Sequence, residues 1–318
     1  MILDVSYRTD IPAFYSEWFM NRVEEGFLYQ RNPSFPTKVS KIKLEPSVID
    51  IMTFCSKNYT PVINHWDRWN ELIESKFRTF YYYTITPYGH DVERLPTWDY
   101  QFNILKKLSE KVGPNRIGWR YDPILLTEKY TIDFHLKTFE EMLIKAKQYC
   151  SRCIISFVQM YAKTKKNMPE IIPMTDVEKV QLLEKFGQLG ILHGVKIYTC
   201  GHGTKYANIP GIYQAGCQTA EMFEDIWPIQ FIKKPFGNLR EGCLCMKGTS
   251  IGDYHTCLHG CKYCYATQNR ETALKVSLNH NAKSPYFIDM PNIDMYNEVS
   301  DMKQESWVQN NETLNLFG

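Results

Sequence analysis

The sequence predicts an α/β fold of the TIM-type (β/α) barrel class, closed by eight strands or partly open with six or seven. Two observations lead to this prediction. Short runs rich in β-branched and aromatic residues alternate with helix-length amphipathic runs, and no internal repeat or low-complexity linker interrupts them. The chain has 318 residues, which is enough for one core of barrel size.

The predicted elements follow one another at barrel-like spacing. The strand candidates are 2–7, 27–30, 48–54, 80–86, 116–120, 154–157, 196–200 and, more weakly, 212–214. The helix candidates are 13–25, 61–75, 100–111, 132–149 and 176–192. Asp176 reads as the start of the last of these helices and Gly194 as its stop.

Polar side chains follow several predicted strands at the point where each strand ends. Parallel α/β folds carry their chemistry at this edge, so we expect one pocket there. Its predicted catalytic residues are Arg8, Asp10, Lys57, Tyr88, Arg120 and Asp122. The alternative for each charged residue is a structural ion pair or a helix cap.

Three cysteines near the C-terminal end form a C-x3-C-x2-C motif, Cys257, Cys261 and Cys264. With this spacing radical-SAM enzymes hold three irons of a [4Fe-4S] cluster and leave the fourth iron open for S-adenosylmethionine. The alternative is a four-cysteine zinc ribbon, which prefers paired C-x2-C knuckles. The motif therefore predicts an iron–sulfur cluster.

Four further cysteines lie near the ends of the last predicted strands. Cys200 ends the seventh strand, Cys217 lies at the end of the eighth candidate, and Cys243 and Cys245 follow. Two interpretations remain open. One of Cys243 and Cys245 could close a single cluster on the triplet, or the four cysteines could form a second centre. A second [4Fe-4S] cluster would raise the iron content to about eight per chain.

The remaining cysteines, Cys55, Cys150 and Cys153, are expected to be buried and free of metal. Cys150 and Cys153 are spaced like a zinc knuckle, but no second pair lies near them in the sequence.

Composition favours a cytoplasmic protein. The first residues carry Asp4, Arg8 and Asp10 where a signal peptide needs an apolar core, and no later run has the length of a membrane span. In a reducing compartment, ten cysteines are not expected to form disulfides. The net charge of +2 means that any nucleic-acid binding would be local.

Several segments resemble the family called domain of unknown function 1848: RTDIPAFY (8–15), SKN (56–58), TPYG (86–89), WRYDP (119–123), CLC (243–245) and DYHTCLHGCKYCYA (253–266). The resemblance covers essentially the whole chain. It implies a radical-SAM-like cysteine cluster, related to that of DNA-repair photoproduct lyases. This chain has Cys200-Gly201-His202 where the family pattern usually has Cys-Ala-Glu, so an imidazole stands in place of an acidic group.

The triplet lies late in the chain, whereas radical-SAM enzymes ordinarily carry it after the first strand. We therefore expect a barrel over 1–235, a cluster-binding segment over 236–290 that folds back as a lid on the strand ends, and a tail over 291–318. S-adenosylmethionine, if used, would be held by Arg8, Asp10, Arg120 and Asp122, with the two arginines as the principal cofactor ligands.

The tail ends in Glu312-Thr-Leu314-Asn-Leu316-Phe317, which resembles the short peptide that docks repair proteins on the sliding clamp. Its alternative is an apolar terminus packed on its own barrel.

Three functions are compatible with these features. The chain could be an iron–sulfur enzyme acting on a nucleobase or nucleic acid, or a barrel enzyme acting on a small anionic metabolite. It could also be a binding or sensor module whose cluster only fixes the C-terminal segment.

Overall fold

A computed structural model describes residues 1–214, 216–237 and 242–310. The chain divides into two compact units. Unit 1 contains Met1–Tyr81, Val92–Leu95 and Gly248–Ser306, and unit 2 contains Tyr82–Asp91, Pro96–Lys247 and Trp307–Gly318.

The strands are β1 Ile2–Asp4, β2 Phe27–Arg31, β3 Lys38–Lys43, β4 Ile51–Ser56, β5 Thr79–Thr84, β6 Ile117–Ile124, β7 Arg152–Phe157, β8 Lys196–Thr199, β9 Ile212–Tyr213, β10 Ile229–Phe231, β11 Gly248–Ser250, β12 Glu298–Asp301 and β13 Val308–Asn310. The α-helices are α1 Ile11–Phe14, α2 Ser16–Glu25, α3 Thr60–Asn64, α4 Trp66–Trp69, α5 Trp98–Val112, α6 Ile132–Ala146, α7 Ala162–Asn167, α8 Asp176–His193, α9 Ala220–Glu224, α10 Arg270–Ser277 and α11 Pro291–Asp294. A π-helical segment, Asn70–Glu74, follows α4, and a 3₁₀ turn, Pro114–Arg116, precedes β6.

The fold is α/β and is dominated by a parallel sheet of eight strands in the order β11-β1-β4-β5-β6-β7-β8-β9. The order begins at β11 and ends at β9, so among the described residues the sheet is not shown to close into the predicted TIM barrel. The terminal strand β9 has only two residues. It pairs with β8 through Ile212 and Tyr213 alone, and so offers little edge for a further partner.

Seven of the eight predicted strands lie in this sheet. The one predicted over 27–30 is a strand as well, but its expected place in the barrel sheet was wrong. The run that begins at Phe27 forms β2, which pairs antiparallel with β3 in a separate three-stranded sheet of order β12-β3-β2. The strand that completes the main sheet is β11, which pairs in parallel with β1. Its Gly-Thr-Ser sequence gives almost no strand signal, so local pattern does not reveal it.

The helices predicted over 100–111, 132–149 and 176–192 were confirmed, with small shifts at the ends. Helix α8 begins one residue after its N-cap, Thr175, which forms a capping box with Glu178, and it ends at Gly194 in the left-handed conformation. The predicted helix over 13–25 is divided into α1 and α2 at Tyr15. The predicted helix over 61–75 is divided into α3, α4 and the π-helical segment.

Each unit has its own aromatic core. In unit 1, the Phe54 and Tyr81 rings stack with centroids 5.1 Å apart, and Trp69 donates a hydrogen bond to the Tyr81 hydroxyl. In unit 2, the Phe139 and Phe186 rings stack at 3.8 Å. The first contact packs β4 against β5, and the second packs α6 against α8.

A buried histidine, His135, is part of the core of unit 2. Its Nε2 donates to the Leu125 carbonyl at 2.8 Å, so its Nδ1 accepts from the Tyr121 hydroxyl at 2.7 Å. Burial lowers the pKa of His135 to about 4, although the Leu125 carbonyl acts in the opposite direction. The ring is therefore neutral at neutral pH.

The C-terminal cysteine-rich segment is bound into unit 1 by Tyr15, which lies between the first two helices, and by Trp18 of α2. The Tyr15 hydroxyl donates to the Thr256 carbonyl at 2.7 Å, and the Trp18 indole donates to the Ser284 carbonyl at 2.9 Å. Its role as a lid stays a prediction.

Candidate functional site

The three motif cysteines lie in a loop, residues 257–264, that we call the cysteine loop. The loop is tied to the short segment 92–95 by two backbone hydrogen bonds. Arg94 N donates to His259 O at 3.0 Å, and Lys262 N donates to Val92 O at 3.1 Å. Gly260 has a φ of +67°, a conformation that side chains rarely adopt, and it allows the turn between the first two cysteines.

A histidine inside the motif anchors the loop to the start of the chain. His259 Nε2 lies 2.7 Å from Asp10 Oδ2, and both side chains are buried. Asp10 also caps α1 by accepting from Ala13 N at 3.0 Å, and it accepts from Lys57 N at 2.8 Å. One carboxylate therefore joins the segments that follow β1 and β4 to the cysteine loop.

A second carboxylate, Glu93, anchors the other end of the loop. Lys57 Nζ lies 3.0 and 3.1 Å from the two Glu93 oxygens, and the Tyr263 hydroxyl donates to Glu93. Glu93 is 1% exposed and Lys57 is 13% exposed, so the pair is largely withdrawn from water. Lys57 Nζ also lies 5.7 Å from the centroid of the Tyr263 ring.

The loop thiols are close enough to influence one another's ionisation. Burial raises the pKa of Cys257 well above its ordinary value, and Asp10 and then Cys264 raise it further. Burial, followed by Glu93, does the same for Cys261. Lys57 lowers the pKa of both thiols. A bound cation would act in the same direction as Lys57 and favour the thiolates.

Cys55 was expected to be buried, and this was wrong because the side chain is half-buried. It lies in unit 1, where Tyr265 is within electrostatic reach of both Cys55 and Cys264. Cys150 and Cys153 are buried as predicted, and Cys153 belongs to strand β7. Burial raises the pKa of Cys150 to about 12.

Arg8 also belongs to unit 1, where its guanidinium binds backbone oxygens. Nη1 lies 3.3 Å from Ser250 O and 3.1 Å from Gly252 O, and the guanidinium lies 5.8 Å from the Tyr254 ring centroid. Arg8 thus links the segment after β1 to the segment after β11.

The other predicted catalytic residues, Tyr88, Arg120 and Asp122, belong to unit 2. Arg120 pairs with Asp122, which also accepts from the Ser156 hydroxyl. The Tyr88 hydroxyl donates to Pro123 O at 2.7 Å and accepts from Leu125 N at 3.0 Å. These contacts are those of structural helix caps and ion pairs: Asp10 caps a helix, Lys57 pairs with Glu93, and Arg120 pairs with Asp122. The catalytic role of these residues stays a prediction.

Unit 2 also brings together Cys200, Cys217, Cys243 and Cys245, which we call the four-cysteine cluster. Cys217 Sγ lies 3.0 Å from Cys200 Sγ, and Cys217 N donates to Cys245 Sγ at 3.1 Å. The Cys217 thiol also contacts the Cys245 thiol, which in turn contacts that of Cys243. The four sulfurs therefore form a continuous chain of contacts.

Two glycines permit this assembly. A Cβ on Gly216 would lie 2.5 Å from Leu244 O and 2.6 Å from Cys245 Cα. A Cβ on Gly242 would lie 2.9 Å from Gly203 N, whose amide donates to Gly242 O. Because these backbones approach so closely, only glycine fits without displacing a loop.

The ionisation of the four-cysteine cluster is uneven. Contacts with the Cys200 and Cys245 thiols, together with burial, raise the pKa of Cys217. Contacts with the Cys217 and Cys243 thiols, supported by the amides of Gln218 and Cys217, lower the pKa of Cys245. In the described part of the chain, no three His, Cys, Asp or Glu side chains already stand as a ready-made ligand group for a metal ion.

The imidazole of His202, two residues after Cys200, packs against two aromatic rings. Its centroid lies 5.5 Å from that of Phe157 and 5.5 Å from that of Tyr206.

Sequence reasoning missed three residues at the cysteine loop. His259 and Tyr263 lie inside the motif, and their polarity between cysteines was a usable signal. Glu93 lies in a segment with no periodic pattern, and its contacts with Lys57 and Tyr263 reveal it.

The helices within residues 1–214, 216–237 and 242–310 include none with the length and apolar character of a membrane span. The predicted clamp-binding residues Glu312, Leu314, Leu316 and Phe317 lie outside the described residues.

Comparison with curated proteins gave no significant match. A family model described as a domain of unknown function, DUF1848, matches residues 2–266. This span includes the cysteine loop, the four-cysteine cluster and every predicted catalytic residue. The chain therefore belongs to the DUF1848 family.

Proposed function

We propose that the chain is an iron–sulfur enzyme of the radical-SAM-like type that acts on a nucleobase or nucleic acid. The observation that carries the proposal is the cysteine loop. Its C-x3-C-x2-C thiols influence one another's ionisation, and both ends of the loop are fixed by buried carboxylates. This donor set suits a [4Fe-4S] cluster with one iron left open, as the resemblance to radical-SAM enzymes implies.

The cluster would be held by Cys257, Cys261 and Cys264. When bound, it would supply the electron for reductive cleavage of S-adenosylmethionine. Lys57 offsets the negative charge of the thiolates, while His259 and Tyr263 hold the loop on Asp10 and Glu93. Ligands fixed by surrounding hydrogen bonds keep their orientation when the metal centre changes its charge.

Two exposed tyrosines beside the loop support a nucleobase as the reacting group. Tyr254 and Tyr265 flank the motif, and each is 40% exposed. The Arg8 guanidinium lies against the Tyr254 ring, and the Tyr7 ring lies 6.1 Å from that of Tyr265. Aromatic faces beside a guanidinium are the usual platform on which unpaired bases stack.

The first experiment is anaerobic purification followed by iron and sulfide counting. The protein is expected to be brown with at least one [4Fe-4S] cluster, and reduction with S-adenosylmethionine should release 5′-deoxyadenosine. Cys261→Ala should lose most of the cluster absorbance, whereas the control Cys150→Ala should keep it. A colourless protein with zinc on the triplet would contradict the proposal. A cluster without S-adenosylmethionine cleavage would favour the binding-module alternative.

The second experiment measures binding of a fluorescent single-stranded oligonucleotide. Tyr265→Leu should weaken binding by about tenfold, since one stacked base is worth about 1–3 kcal/mol. The control is Tyr100→Leu, because Tyr100 is 43% exposed and belongs to α5 in the other unit. Equal affinity in all three proteins would remove the nucleic-acid part of the proposal.

A further inference from the structure

The spacing of the sulfurs in the four-cysteine cluster suits one metal ion better than a cubane. Zinc binds thiolates at about 2.3 Å, so a tetrahedral site places neighbouring sulfurs about 3.8 Å apart. Cys200 Sγ and Cys217 Sγ are 3.0 Å apart, and Cys245 Sγ contacts the thiols of both Cys217 and Cys243. A [4Fe-4S] cluster binds its thiolates through four different irons, which holds the sulfurs farther apart.

The backbone around the four-cysteine cluster is organised as it is around bound thiolates. The Cys217 amide donates directly to Cys245 Sγ. Two hydrogen bonds join the segments that carry these two cysteines. Met246 N donates to Gln218 O at 2.9 Å, and Gln218 Nε2 donates to Met246 O at 3.1 Å. Hydrogen bonds to ligand atoms and their neighbours orient a metal site and stabilise its charge.

We propose that Cys200, Cys217, Cys243 and Cys245 form a separate tetrathiolate site that binds one zinc ion. The thiols release their protons on binding, and four cysteine ligands leave no open position for substrate. The site would fix the loops after β8 and β9 to the segment before β11. The Cys200 and Cys217 sulfurs, now 3.0 Å apart, would have to separate by about 0.8 Å to reach the spacing of a tetrahedral site.

The test is metal analysis of the full-length protein purified anaerobically from medium supplemented with zinc and iron. The wild-type protein should contain about one zinc per chain in addition to the iron of the cysteine loop. Cys243→Ser/Cys245→Ser should lose the zinc and keep the iron. Cys257→Ser/Cys261→Ser/Cys264→Ser should lose the iron and keep the zinc. The control Cys150→Ser should keep both.

This design separates the zinc proposal from the iron–sulfur proposal. Failure of the cysteine loop to bind iron leaves the zinc count unaffected. The zinc site is overturned if the double variant keeps its zinc, or if wild type has no zinc. It is also overturned if the iron content approaches eight and falls by half in the double variant, since that result means a second cubane. A disulfide between Cys200 and Cys217 in the purified protein would overturn it as well.

Because the double variant can misfold, a second measurement uses the wild-type chain. Purification from cobalt-supplemented medium should give the visible absorption of tetrahedral cobalt with sulfur charge-transfer bands, and added zinc should abolish it stoichiometrically. The triplet variant, which lacks the iron chromophore, should show the same spectrum. Absence of the cobalt spectrum in the triplet variant would contradict the zinc proposal.

Discussion

The cysteine loop and the four-cysteine cluster assemble their sulfurs in opposite ways. The loop places three thiols within eight consecutive residues and surrounds them with charged groups, the carboxylates Asp10 and Glu93 and the cation Lys57. The four-cysteine cluster collects its thiols from separate segments, and its sulfurs contact one another.

This difference shows what each arrangement requires from the fold. The loop needs only a local motif and two anchors, because sequence spacing already sets the distances between its sulfurs. The four-cysteine cluster depends on backbones that approach closely at Gly216 and Gly242. Substitutions that remove a charged partner should therefore destabilise the cysteine loop. Substitutions that add atoms at the close backbone contacts should destabilise the four-cysteine cluster.

The largest effect on stability is expected at the anchor of the loop. Lys57→Met leaves Glu93 buried without its cation, which should lower the free energy of unfolding by about 3–5 kcal/mol. Lys57→Met/Glu93→Gln should recover most of this loss because no charge remains buried. Urea unfolding followed by circular dichroism measures both. The surface variant Lys275→Met is the control and should behave as wild type.

If Lys57→Met is no less stable than Lys57→Met/Glu93→Gln, the ion pair does not hold the cysteine loop. Charge partners would then not distinguish the loop from the four-cysteine cluster.

The decrease of stability at low pH can be divided into two causes: protonation of the metal-binding thiolates and protonation of the buried His135 in the core. The pKa of His135 is about 4 in the folded chain and about 6.5 when unfolded, so the unfolded state binds the extra proton between these values. Stability should therefore be full above pH 6.5 and decrease as pH falls toward 4, by about 3 kcal/mol in total.

His135→Gln should flatten this part of the pH profile, measured by thermal unfolding at fixed ionic strength, while acid release of metal is unchanged. A variant with an unaltered slope between pH 6.5 and 4 would assign the acid sensitivity to other groups.

A smaller loss is expected where the four-cysteine cluster needs space. Gly216→Ala places a methyl group against Leu244 O and Cys245, which should cost about 1–3 kcal/mol and reduce the zinc content. Gly89→Ala is the matched control, because its nearest neighbour is the end of the Asp91 side chain, which can move. Metal analysis and urea unfolding provide the readouts. Normal zinc content in Gly216→Ala would show that the close approach is not needed for the site.

The smallest effect on stability is expected at Arg120, although its effect on ligand binding should be larger. Arg120→Lys should keep the ion pair with Asp122 and the metal content, with a change below about 1 kcal/mol. It should weaken S-adenosylmethionine binding by about tenfold, because lysine cannot reproduce the two parallel hydrogen bonds of a guanidinium. Calorimetry on the anaerobic protein measures this affinity, with Arg116→Lys as the control.

If Arg120→Lys unfolds while the surviving fraction binds S-adenosylmethionine normally, Arg120 is a structural partner of Asp122, and its assignment to the pocket is wrong.

The sequence by itself determined the α/β class, the long helices α5, α6 and α8, and seven strands of the main sheet. These features depend on hydrophobic periodicity and on capping residues such as Thr175, which act within a few residues of chain. It also singled out the cysteine triplet, because the spacing of Cys257, Cys261 and Cys264 is itself local.

Only the tertiary structure decided which partners these elements have. Strand β11 completes the main sheet and β2 leaves it, because strand pairing depends on which backbone edges are free and not on local side-chain pattern. The contacts of His259 with Asp10 and of Cys200 with Cys217 likewise join distant positions. Such contacts form because the folded backbone brings these side chains together. The spacing of residues along the chain does not show which distant side chains will meet.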